Sequence, residues 1–140
     1  MAGMSRTKGK VGERELARLL SELTGYTVAR RVRNLAGEDD LQGLPGWSIE
    51  CKRYAAITPA LVAGWWAQAQ RQAQAVGQEP VLFYRADKGA WRAVWDASLL
   101  LPSGQMLLPT DGRPMLPAGA TVEACPVTWW ALVACSRLER

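Results

Sequence analysis

The sequence predicts an α/β fold, a mixed β-sheet flanked by helices in the order α-β-β-β-α-β-β. Three observations carry that expectation. Leu16, Leu19, Leu20 and Leu23 recur at helical spacing near the start of the chain. Trp47, Ile49 and Cys51 alternate with Ser48, Glu50 and Lys52, as along a strand. A second helical stretch, opened by Thr58 and Pro59, separates that run from two further strand-like runs. Helices interleaved with strands bury their apolar sides against a sheet.

In chain order, residues 1–10 read as a flexible basic arm carrying Arg6, Lys8 and Lys10, suited to a phosphate backbone or to solubility alone. Residues 11–24 form the first helix, stopped by Gly25. Residues 26–32, aromatic and β-branched, predict a strand, and the polar residues 33–38 a loop. A second strand begins at 39–44 and turns at Pro45-Gly46 into the third, 47–53, whose alternation puts Glu50 and Lys52 on one face. Thr58 is the N-cap of a helix that runs to about Val76 and ends at Gly77. Residues 80–85 and 91–95 are strands joined by the Asp87-Lys88-Gly89 turn. Beyond Asp96, Pro102, Pro109, Pro114, Pro117 and Pro126 divide short apolar runs. This predicts an irregular or β-hairpin-rich C-terminal extension, 101–140, packed on the same domain or at a dimer interface. Its Trp129-Trp130 pair suits a core or a subunit interface better than a base-stacking platform.

With 140 residues, 49% of them hydrophobic and 21% charged, the chain holds one domain with a real core. No apolar run approaches the roughly 20 residues that span a bilayer, and the basic start lacks a signal-type apolar region, so a cytoplasmic protein is expected. Three cysteines, at 51, 125 and 135, form no C-x-x-C pair and read as free thiols. The absence of histidine excludes His-ligated zinc and histidine general bases, leaving carboxylates, lysine or a hard metal ion for hydrolytic chemistry. A net charge of +4 favours a polyanionic partner. Basic residues dominate up to Arg33, whereas Glu38, Asp39 and Asp40 form an acidic knot.

The stretch from Gly37 to Arg53 carries the chemistry. Asp40 at the end of one strand and Glu50 on the next meet at one divalent cation if the turn at Pro45-Gly46 joins the strands. Lys52, two residues on and on the same face, is placed to orient an attacking water or to stabilise charge on a phosphorane-like transition state. It acts instead as a base if its pKa falls, which the neighbouring carboxylates oppose.

The chain resembles the PD-(D/E)xK nuclease superfamily and, within it, the archaeal and phage Holliday junction resolvases. The resemblance runs from about Lys8 to Leu100. It rests on Gly9-Lys-Val-Gly-Glu-Arg-Glu-Leu16, Arg30-Arg31-Val-Arg33, Asp39-Asp40-Leu41, Ile49-Glu-Cys-Lys-Arg53 and Trp65-Trp-Ala-Gln-Ala69. It implies a restriction-endonuclease-like core over 11–100, Mg²⁺ or Mn²⁺ as cofactor, and DNA as partner, branched as in a four-way junction. A homodimer with two sites and a phage or prophage origin are implied as well. Carried over by position, Glu13 is the helix-one acid, Asp40 and Glu50 the metal-binding acids, Lys52 the catalytic lysine and Gln68 the glutamine of the second helix. The backbone carbonyl of Cys51 is a further ligand.

The proline usual before the aspartate is replaced by Asp39, so Asp39 competes with Asp40, and Glu15 competes with Glu13. Asp40 is favoured because it directly precedes Leu41, and Glu13 because it borders the Leu16 and Leu20 stripe. Lys10, Arg30, Arg31, Arg33 and Arg53 form the expected DNA-binding rim.

Overall fold

The computed structural model describes residues 2–31, 39–100 and 119–138, with side chains described from Gly9 onward. Helix α1 (Ala2–Thr24) begins well before the expected start at residue 11, so the backbone of the arm expected over 1–10 is helical from Ala2. Its sequence contains no proline to stop a helix already packed through Leu16 and Leu20 from propagating back. At the other end Gly25, at φ 80°, turns the chain out of the helix.

Among the described residues six strands form one sheet in the order β1 (Ala29–Arg30), β2 (Leu41–Gln42), β3 (Trp47–Tyr54), β4 (Glu79–Ala86), β5 (Arg92–Asp96) and β6 (Thr121–Ala124). Only β3 and β4 are parallel, joined by helix α2 (Pro59–Val76); every other neighbour pair is antiparallel. This is the mixed sheet flanked by helices that the sequence predicts. Thr58 caps α2 by accepting from the Leu61 N–H at 3.2 Å, and Gly77, at φ 67°, ends it.

The first strand is shorter than its β-type composition suggests because a side chain takes its hydrogen bonds. Ser21 Oγ accepts from the Val28 N–H at 2.9 Å and donates to α1 at Ala17 O, so Val28 is bound to the helix and not to a neighbouring strand. Close beside it, Gly43 sits at φ 121°, where a Cβ would lie 2.1 Å from the Thr27 carbonyl oxygen. Only glycine allows that approach.

Alternation along the strands divides the core in two. On one face, α1 and the C-terminal segment cover Trp47, Ile49, Cys51, Phe83 and Trp95. On the other, Trp65, Trp66 and Ala69 of α2 cover Leu82 and Val94. Beyond Leu100 the described residues supply β6 and then a helical segment, α3 (Pro126–Trp129), a π-turn over 130–134 and α4 (Cys135–Leu138). Residues 101–118 of the expected extension lie outside the described residues, and over 126–138 the chain is helical: Pro126 takes the first helical position, where its missing N–H costs nothing, and Ala131, Leu132 and Ala134 are good helix formers. Trp129 is fully buried, edge-on to Trp47 at 5.1 Å and to Phe83 at 5.2 Å. Among the described residues no helix is long and apolar enough to cross a membrane.

Candidate active site

The Leu41 to Ile49 register of β2 and β3 brings Asp40, one residue earlier, opposite Glu50. Asp40 is anchored by its backbone, which donates to Ile49 O at 2.9 Å and accepts from Arg31 N at 3.2 Å. Its carboxylate Oδ2 accepts from the Cys51 N–H at 2.8 Å. Glu50 is 1% exposed and shares the α2 face of the sheet with Leu82, its register partner in β4. Lys52 follows on the same face, with Nζ 3.2 Å from Glu50 Oε1.

Glu50 Oε2 is buried and receives no hydrogen bond. Burial, then the negative charge of Asp40, push the Glu50 carboxyl up to about 8, against the opposing pull of Lys52. At neutral pH the carboxyl therefore keeps its proton. Two facing carboxylates, one with a buried oxygen lacking a donor, fit a hard divalent cation that would take the proton's place. Cys51 follows Glu50 directly, and its N–H is the donor to Asp40. Its thiol is pushed up by burial and by Asp40, Glu13 and Glu50, and stays protonated.

Asp39 and Asp40 have separate surroundings. Asp39 is 6% exposed, accepts from Arg31 Nε at 2.6 Å and sits 3.4 Å from the Ile49 N–H, tying the strand ends together. Asp40 faces Glu50. The two candidate acids of α1 differ in the same way. Glu13 receives Arg30 Nε at 3.0 Å. Glu15 gathers Arg53 Nη1 at 3.4 Å, Arg85 Nη1 and the Trp91 indole N–H at 2.9 Å. Arg85 and Trp91 went unnoticed in the sequence because nothing local links them to Glu15; only the packing of α1 over the strand ends does.

Among the described residues no three acid or thiol side chains converge closely enough to hold a metal between them. Asp40 and Glu50 come together, and Glu13, on the helix of the opposite face, remains with Arg30. Gln68 is half-buried on α2, the helix covering the Glu50 face. Of the expected DNA rim, Arg30, Arg31 and Arg53 each carry an acidic partner, Lys10 is exposed, and Arg33 lies outside the described residues.

The family model described as "Phage putative PDDEXK endonuclease" matches residues 4–101. No curated protein matches the chain. Among solved structures, the chain is similar to Hjc of Archaeoglobus fulgidus, described as a Holliday junction resolvase from an archaeal hyperthermophile. The TM-score is 0.46 at 22% identity, over 61% of this chain and 70% of that one.

Proposed function

The chain belongs to the phage PDDEXK endonuclease family, and from that premise we propose a structure-selective, Mg²⁺- or Mn²⁺-dependent DNA endonuclease, a Holliday junction resolvase acting on four-way junctions in the host cytoplasm. The observation that carries the metal-dependent part is the facing pair Asp40 and Glu50, with a buried, donor-free Glu50 oxygen and Lys52 alongside. The junction specificity rests on the sequence motifs alone.

Asp40, Glu50 and the Cys51 carbonyl would hold the cation, with Glu13 as the third acid once Arg30 exchanges it for a DNA phosphate. When bound, such an ion polarises the phosphate and activates water at neutral pH. Lys52 places a positive charge on the same face, where it stabilises the negative charge that develops on the phosphate oxygens. Gln68 orients the phosphate from α2. Arg31 and Arg53, held by Asp39 and Glu15, are pre-positioned at the rim, where phosphate competes with their carboxylate partners. Lys10 and Arg33 complete that rim. Residues 11–100 form the nuclease core in this reading, and 101–140 pack on it or between two copies. A homodimer supplies the two sites that symmetric cutting of a junction needs.

Incubation with four-way junction, duplex and flap DNA in Mg²⁺ tests the proposal. Junction DNA is expected to be cut, and Glu50→Gln to abolish cutting. Inactivity on all three substrates, or unchanged cutting by the variant, rejects it. Preferential cutting of duplex at a defined sequence moves the assignment to the restriction type, and a monomer in sedimentation at micromolar concentration rejects symmetric resolution.

A further inference from the structure

The face of the sheet that carries Glu50 and Lys52 continues, in register, into an open cleft of about 800 Å³. Lys52 pairs across to Tyr84, and Tyr84 to Arg92. In the next row Glu50 pairs to Leu82, Leu82 to Val94 and Val94 to Glu123. Tyr84, Arg92, Val94 and Glu123 line the cleft. One strand spacing separates Tyr84 from Lys52, two, about 10 Å, separate Arg92 from it, and Glu123 lies on the strand beyond.

We propose that this cleft receives an unpaired nucleobase of the substrate DNA, next to the phosphate being cut. The inference rests on the nuclease reading and adds to it a feature that distinguishes DNA with a bulged base, or with a base unpaired at a branch point, from continuous duplex.

Three observations support a base as the occupant. First, the cleft carries aromatic rings. Trp66 and Tyr84 are part of its lining, and the Trp65 ring behind them lies tilted by 49° against Tyr84 at 6.3 Å and Tyr54 at 4.8 Å. Tyr54 is 42% exposed, two residues beyond Lys52 on the same strand face, so an aromatic edge leads from the lysine to the cleft. Bases stack on such rings whatever their sequence. Second, the polar wall is charge-balanced. Glu123 accepts from the Tyr84 hydroxyl and lies 3.4 Å from Arg92 Nη2. A paired Arg and Glu offer donors and acceptors to the edge of a neutral base, whereas a phosphate would meet the Glu123 carboxylate. Third, the Tyr84 hydroxyl, pushed up to about 12 by burial and then by Glu123, remains a donor at every working pH and fixes that wall. Extruding a base that is already unpaired costs little, which is how such a cleft selects disrupted DNA.

The test compares three fluorescent DNA probes of equal length in Ca²⁺, read by anisotropy: a duplex with one bulged nucleotide, the same duplex with an abasic bulge, and a fully paired duplex. The wild-type protein is expected to bind the bulged base about tenfold more tightly than the abasic bulge. Ala63→Trp, a substitution at an exposed position of α2 on the cleft wall, is expected to remove that preference and leave abasic and paired affinities unchanged. Equal wild-type affinity for the base and abasic bulges overturns the proposal, a result that needs no variant. A base preference that survives Ala63→Trp in a folded variant overturns it too, and assigns the cleft to some other occupant. Cutting in Mg²⁺ is read separately. Cutting without base preference rejects the cleft and keeps the nuclease reading, whereas base-dependent binding without cutting of any DNA supports the cleft and rejects that reading.

Discussion

Replacing Glu50 with glutamine is expected to stabilise the metal-free fold while abolishing cutting. Glu50 is 1% exposed, one of its oxygens receives no hydrogen bond, and burial and Asp40 raise its carboxyl from 4.5 to about 8. A carboxyl whose folded pKa is raised binds a proton that the unfolded chain has already released. Its contribution to stability is therefore full below pH 4.5 and is lost as pH rises through about 8. At about 1.4 kcal/mol per tenfold displacement, the loss is about 3 kcal/mol at pH 7 and about 5 kcal/mol well above pH 8. Glutamine keeps the shape and has no proton to lose, but it forfeits the Lys52 ion pair, so the net gain at pH 8 is about 1–3 kcal/mol. Since about 1 kcal/mol moves Tm by a few degrees in a chain of this size, the variant should melt roughly 5 °C higher in EDTA at pH 8. The two proteins should converge near pH 4.5. The chain has no histidine, so no other side chain of ordinary pKa obscures the interval from pH 5 to 8. The assay is circular-dichroism melting in EDTA from pH 4.5 to 9. Parallel pH profiles for the two proteins, or a wild-type Tm indifferent to pH, would refute the buried-carboxyl argument.

Mg²⁺ should raise the wild-type Tm by mass action and leave Glu50→Gln unmoved, a difference read in the same instrument. Lys52→Ala should lower the cutting rate by roughly 10²–10³ with DNA affinity nearly unchanged, as measured in single-turnover cleavage. Asp40→Asn should abolish cutting, whereas Asp39→Asn should retain it and lose about 1–3 kcal/mol of stability, because Arg31 loses its acidic partner and keeps only Gln42; paired melting and cleavage measurements separate the two. Gly43→Ala should cost about 3 kcal/mol or more in urea unfolding, since the added Cβ would meet the Thr27 carbonyl at 2.1 Å in a backbone conformation that L residues rarely adopt.

Local patterns in the sequence made much of the fold legible. The leucine spacing of α1, the Thr58, Pro59 and Gly77 boundaries of α2 and the alternation of β3 each depend on residues a few positions apart, and each survives in the structure. What escaped depends on distant partners. The residues before Ala29 have strand composition, yet Ser21, seven positions upstream of Val28, takes that backbone for the helix. Pro126 opens a helix, and Trp129, expected in a core or an interface, meets Trp47 and Phe83, partners that lie on strands far away in sequence and that no local pattern names.

The same division explains the candidate site. Glu50 and Lys52 are two residues apart on one strand, and Asp40 reaches them across one tight turn, so their meeting is a local matter that alternation alone anticipates. Glu13 and Glu15 differ from them because a helix on the opposite face carries both, and the sequence holds no signal of which arginine each will meet. The packing of α1 over β3 decides it: Gly12 leaves room for the Arg53 side chain, whose Cβ would lie 3.0 Å from an added methyl, and Arg53 then reaches Glu15. Glu13, one step round the helix toward β1, meets Arg30 instead. Both acids of α1 thus hold arginines, while the acids of the strands face each other with one buried oxygen unsatisfied. With Lys52 on one Glu50 oxygen and no donor on the other, that buried unsatisfied oxygen is where a cation has most to gain.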